Sequence, residues 1–139
     1  MNILDTNVIS AVMRPHRNAE IRHWLDVQPT ASLWTTTVSI YEIVASLGTL
    51  PEGQRKRMLE KAFAASIETL FEARILPFDV EAAEHAGAIL SRRLLAGTNK
   101  ETRDTQIAGI VMSRRATLAT RNVKDFSDLD IALVNPWTP

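Results

Sequence analysis

Short apolar or β-branched runs recur along the chain at Asn2 to Leu4, Leu33 to Thr37, Ile75 to Pro77, Thr117 to Thr120 and Ile131 to Val134. Each is too short for a helix, and each predicts a strand. Between most of them apolar positions return every three or four residues. That spacing predicts helices at Thr6 to Met13, Ala19 to Val27, Ile40 to Leu47, Glu52 to Phe71, Val80 to Ala96 and Arg103 to Arg114. Strands alternating with helices build an α/β domain on a parallel sheet. The fourth and fifth helices are long enough to form a hairpin arm.

The 139 residues carry no internal repeat, low-complexity tract or linker, and Pro51-Glu52-Gly53 is only a loop between helical patterns, so a single domain over 1–139 is expected. Asp5 stands where a signal peptide would enter its apolar core. The longest uncharged window, Val27 to Tyr41, is rich in Thr and Ser and falls short of the roughly 18 apolar residues of a membrane span. The expectation is a soluble, cytoplasmic protein with no membrane partner. The absence of cysteine excludes disulfides and thiolate metal sites.

In an open parallel sheet, ligands bind beyond the carboxyl ends of the strands. Four segments place acids there. Asp5 follows the first strand, Glu42 lies one turn after the second in "TTTVSIYEIV", Asp104 opens the helix before the fourth in "ETRDTQIAGIV", and "ATRNVKDF" leaves that strand with Asn122 and Asp125. Each has an ordinary structural explanation. Asp5 reads as an N-cap, Ser39 with Glu42 as a capping box, Asn122 as the cap of a short turn holding Asp125, and Asp104 as an answer to a helix's positive end. At about 100° per residue, however, Asp104 shares the stripe of Ile107, Ala108 and Val111, which starts its carboxylate toward the sheet. Glu42 lies opposite the stripe of Ile40, Ile43, Val44 and Leu47, facing either a cleft or solvent.

Carboxylates gathered at one edge repel each other unless a cation joins them. Oxygen donors without cysteine, and with His16, His23 and His85 scattered, suit Mg²⁺ or Mn²⁺ rather than Zn²⁺. An ion of that kind suits phosphodiester hydrolysis. Formal charge is balanced at 16 basic and 16 acidic residues, and setting the four acids aside leaves 12 against 16, a small excess of the sign a polyanion prefers. Arg14, Arg17, Arg103, Arg114, Arg115 and Arg121 are expected near that edge or on helices leading to it. Arg55-Lys56-Arg57 reads as a solvated helix face.

These residues resemble a known family. "ILDTNVIS", the glutamate of "TTTVSIYEI", the aspartate of "RDTQIAGI" and "ATRNVKDF" occur in the order found in PIN-domain ribonucleases, and "ILPFD" and "NPW" are similar to pieces of the VapC/FitB-type toxins. The resemblance runs over essentially the whole chain. It implies a three-layer α/β/α domain with a five-stranded parallel sheet of order 3-2-1-4-5, and Mg²⁺- or Mn²⁺-dependent endonucleolytic cleavage of RNA. It also implies a homodimer, neutralised by a small antitoxin in a complex of two or more chains. By position, Asp5, Glu42 and Asp104 match the acidic set, Asp5 and Asp104 foremost as metal ligands, supported by Thr6, Ser39 and Thr120, with Arg14, Arg103 and Arg121 toward substrate. The fourth position departs from the pattern: several relatives carry an acid where this chain has Asn122, and Asp125 is the other candidate.

One other enzyme reading and two non-enzymatic ones stand beside this. An aspartyl phosphatase begins with an Asp after its first strand but needs a second acid where Asn7 stands. A phosphoacceptor domain needs an acidic pair there and a lysine after the last strand, where Asn135, Pro136 and Trp137 follow. A degenerate PIN fold used only for binding is the remaining alternative.

Overall fold

The computed structural model describes residues 1–98 and 100–139. Five strands form one parallel sheet: β1 (Asn2–Leu4), β2 (Leu33–Thr36), β3 (Ile75–Leu76), β4 (Thr117–Ala119) and β5 (Ala132–Val134), in the order β3-β2-β1-β4-β5. Each strand expected from the pattern is present within a residue of its bounds, in the order 3-2-1-4-5. β1 is central, pairing Asn2 with Leu33 on one side and with Thr117 on the other.

Alternation along β1 sends its side chains to opposite faces. Ile3 joins Leu76, Ala82, Ile89, Ile107, Ile110 and Leu118 in one core, and Leu4 joins Val8, Ile9, Trp24, Ile43, Leu47 and Phe71 in the other. Both faces of the sheet are therefore covered. α1 (Thr6–Val12), α2 (Ala19–Asp26), most of α3 (Thr37–Gly48) and α4 (Gln54–Ala65) cover one, and α5 (Val80–Leu95) and α6 (Thr102–Arg114) the other, giving the three-layer α/β/α arrangement.

Three expectations need correction. α3 begins at Thr37, three residues before the expected start. Thr36 is its cap, with Thr36 Oγ1 accepting the Ser39 N–H at 3.1 Å, so Ser39 and Glu42 do not form a capping box and the Ser39 hydroxyl is left for other work. The long fourth helix is not one α-helix, because α4 passes into a π-helical segment, Ser66–Phe71. There Ser66 Oγ donates to the Ala62 carbonyl at 2.9 Å and Thr69 Oγ1 to that of Ala65 at 2.7 Å, hydroxyl bonds that compete with the regular ladder. Nor do the fourth and fifth helices form an arm. β3 separates them, and α5 lies along α6 so closely that a Cβ on Gly109 would come within 2.7 Å of Ala86 Cβ. Among the described residues, no helix is long and apolar enough to cross a membrane.

Candidate functional site

The carboxyl ends of β1, β2 and β4 and the start of α6 meet at one edge. Asp5 leaves β1 and is 4% exposed. It is indeed the N-cap of α1, with Oδ1 accepting the Thr6 N–H at 2.8 Å. Its other oxygen, Oδ2, accepts the Thr120 hydroxyl at 2.7 Å and the Asn7 amide at 3.4 Å. Burial pushes the Asp5 carboxyl above its ordinary range, against the pull of the bonds from Thr120 and Thr6, and the charges of Glu42 and Asp125 push in the same upward direction.

Glu42 faces the cleft rather than open solvent. Thr6 Oγ1 lies 2.9 Å from Glu42 Oε1 and 3.0 Å from Ser39 Oγ. With one proton to give, Thr6 serves the stronger acceptor, the carboxylate, and the buried Ser39 hydroxyl donates to Thr6. Arg103 Nη1 approaches Glu42 Oε2 at 3.7 Å from the rim. Asp104, half-buried in the first turn of α6, carries the clearest sign of crowding. Its pKa is pushed up from 3.8 to about 6, first by burial and then by the charges of Asp5, Asp125, Glu42 and Glu101.

The two candidates for the fourth position, Asn122 and Asp125, stand differently. Asp125, half-buried in the 3₁₀ turn Val123–Phe126, is the residue whose charge reaches both Asp5 and Asp104. Asn122 is exposed, and its backbone N–H donates to Thr120 Oγ1 at 3.1 Å. Thr120, fully buried, thus links the end of β4 to Asp5.

Two further side chains support this edge, and one of them, Arg93, has no local signal in the sequence. Arg93 on α5 is 3% exposed. It pairs with both oxygens of Asp128 at 2.9 Å, donates to Thr105 Oγ1 at 2.8 Å beside Asp104, and reaches the Asp125 carbonyl at 3.0 Å. Asn7, the second, donates to Asp5 and Thr120 while accepting the Arg121 N–H at 3.2 Å. Among the arginines, Arg103 and Arg121 lie at this edge, Arg14 follows the end of α1 and lines a cavity with Asn7, and Arg17 is exposed on the following turn. Arg114 and Arg115 do not belong here. They end the helix that Asp104 opens, and Arg114 pairs with Asp79 at 3.5 Å.

As a cation site the donor set is chemically suitable: it is all oxygen, and the ionised Asp104 carboxylate stands among like charges whose repulsion a cation would offset. Among the described residues, no three His, Asp or Glu side chains stand close enough together to grip an ion as they lie. Mg²⁺ does not need three. It is commonly held by one or two carboxylates with water completing its shell.

The whole chain is similar to known proteins. A family model described as PIN domain matches residues 3–132. The toxin FitB of Neisseria gonorrhoeae is 34% identical over 137 residues, 99% of each chain. The VapC ribonuclease Y4jK of Sinorhizobium fredii is 25% identical over 139 residues, covering 100% of this chain and 99% of that one. Among solved structures, FitAB bound to a DNA fragment superposes with a TM-score of 0.88 at 33% identity, covering 100% of this chain and 97% of that one.

Proposed function

The chain belongs to the PIN domain family, and from that premise we propose that it is a cytoplasmic, Mg²⁺- or Mn²⁺-dependent endoribonuclease, the toxin of a toxin–antitoxin pair. The observation that carries the reading is the gathering of Asp5, Glu42, Asp104 and Asp125, four carboxylates from four segments, at the sheet edge, where their charge and burial hold the Asp5 and Asp104 carboxyls above their ordinary range. The relatives named as toxin and as VapC ribonuclease support the direction of the reading.

Asp5 and Asp104 would hold the ion, with Glu42 beside them. When bound, the ion supplies neutralising charge at a phosphodiester and makes water more acidic. The chain's own groups do the remainder. Thr120 and the Thr6 N–H fix the two oxygens of Asp5 in one orientation, and Thr6 does the same for Glu42. Asp125 and Glu42, whose charges both reach Asp104, would accept a proton from an attacking water or orient it.

Cleavage of tRNA and rRNA with Mg²⁺, and its loss in EDTA, separates this function from use of the fold for binding alone. Asp5→Asn should abolish cutting while leaving the circular dichroism spectrum unchanged. Cutting by Asp5→Asn at the wild-type rate with Mg²⁺ present would refute the reading. The proposal extends to partners: a small antitoxin, as in the complex structures of relatives, and a second copy. The exposed apolar side chains of Tyr41 and Val44 on α3 and of Leu90, Leu94 and Leu95 on α5 support self-association, which sedimentation of the purified toxin tests.

A further inference from the structure

Beside the carboxylates, and separated from them by Asn7, lies a cavity of about 190 Å³ lined by Asn7, Ser10, Arg14, Asn18, Arg121 and Trp137. It is assembled from three strand exits. Asn7 stands on the helix after β1 and Arg14 just past that helix's end, Arg121 comes after β4 and Thr120, and Trp137 follows β5. Its charge is of one sign: no acidic residue lines it, and among the described residues neither Arg14 nor Arg121 has a carboxylate within salt-bridge distance. Two guanidinium groups beside one small cavity, without a counter-charge, leave it suited to an anion, and phosphate is the anion their planar donors fit in pairs.

The walls are held in place by other groups. Arg121 lies over the Trp137 ring at 4.9 Å from its centroid, its backbone N–H is bound to Asn7, and the Trp137 N–H is tied to Asn135 Oδ1 at 3.0 Å. Arg14 Nη1 donates to the Ser10 carbonyl at 3.2 Å, and Asn18 donates to the Arg14 carbonyl, also at 3.2 Å. Ligand pockets for drug-sized molecules run to about 300–1,000 Å³. This cavity is smaller, of a size for a phosphate with part of its ribose.

Resting on the nuclease reading above, we propose that this cavity is a subsite for a backbone phosphate of single-stranded RNA adjacent to the bond being cut, with Arg14 and Arg121 as its donors and Trp137 as the residue that positions Arg121. Asn7 joins the two sites, since one side chain touches both the Asp5 carboxylate and the wall of the cavity. The subsite reads no sequence, because phosphate contacts set register and leave specificity to base edges.

The test measures affinity apart from cleavage. Fluorescence anisotropy of a short 5′-fluorescein single-stranded RNA is followed in EDTA over a range of KCl, with cleavage assayed separately in Mg²⁺. Arg14→Ala and Arg121→Ala should each weaken binding about 10-fold, the scale of one charged hydrogen bond, irrespective of RNA sequence. Each should lower the slope of log K against log [KCl] by about 0.7. Trp137→Ala should follow Arg121→Ala, and Trp137→Phe should restore wild-type affinity. Wild-type Kd and salt slope in Arg121→Ala, from a protein that does cut RNA in Mg²⁺, overturn the subsite alone. Arginine variants that lose affinity for an antitoxin but not for RNA also overturn it, and a wild type that neither binds nor cuts RNA overturns the nuclease reading as well.

Discussion

Replacing Asp104 by asparagine should stabilise the metal-free protein at neutral pH while removing its activity. The Asp104 carboxyl titrates at about 6 in the fold against an ordinary 3.8, so the folded state holds this proton more tightly than the unfolded chain does. Stability from this group is therefore greatest in acid, is lost as pH rises from about 4 through 6, and stays lost above that. At 1.36 kcal/mol per pH unit the full difference is about 3 kcal/mol, and solvent screening at a half-buried position reduces it to about 1–2 kcal/mol. An unfolding entropy of about 2.1 cal/mol/K per residue, over 139 residues, turns that into a rise of about 3–7 °C in Tm. The assay is thermal denaturation in EDTA at pH 7.5 and pH 4. Asp104→Asn should melt higher than wild type at pH 7.5 and level with it at pH 4, and added Mg²⁺ should raise the wild-type Tm alone. A variant that melts at or below wild type at pH 7.5 would show that Asp104 is not held under electrostatic strain.

Asp125→Asn should reduce cleavage at least about 10-fold, the scale of losing a charged contact, while Asn122→Ala changes it less than about 2-fold; the reverse ranking in a cleavage assay would place Asn122 in the fourth position. Asp128→Ala should destabilise the fold by about 3 kcal/mol, because it strips the buried Arg93 of its counter-charge. Arg93 holds the Asp128 carboxyl below its ordinary 3.8, so this contribution is present above that pH and is lost as pH falls through the lowered value. Urea denaturation at pH 7 and pH 3 checks both the size and the pH window.

The fold was readable because its signals are local. β1 and β4 each set a half-buried polar residue before two buried apolar ones, and α6 carries an unbroken stripe from Ile107 to Val111. The errors occur where hydroxyl groups compete for backbone. Thr36 captures the cap that Ser39 was expected to supply, and Ser66 and Thr69 turn the end of the fourth helix into a π segment. The acids of the site were legible because strand exits of a parallel sheet converge whatever the intervening loops do. What holds them was not. Arg93 meets Asp128 across 35 positions, and Arg121 meets Trp137 across two separate strand exits, pairings that no periodicity announces. Arg114 and Arg115 were misplaced for a simpler reason: a helix that begins at the site carries its last turn away from it.

The ordinary and the functional explanations of Asp5 turn out to use different atoms. Capping takes Oδ1, through the Thr6 N–H, while Oδ2 is held by Thr120 and Asn7. An ionised carboxylate has about four lone-pair positions, so three hydrogen bonds leave room for one more partner. A cap needs nothing beyond the first of these bonds, and at a helix start it is normally wet. Burial to 4% exposure beside three further acids costs the fold, and capping does not explain that cost. A cation at the remaining position would offset it. The same physics that strains the carboxylates would give such an ion its affinity, and the hydroxyls of Thr6, Ser39 and Thr120 already hold the carboxylates in one orientation.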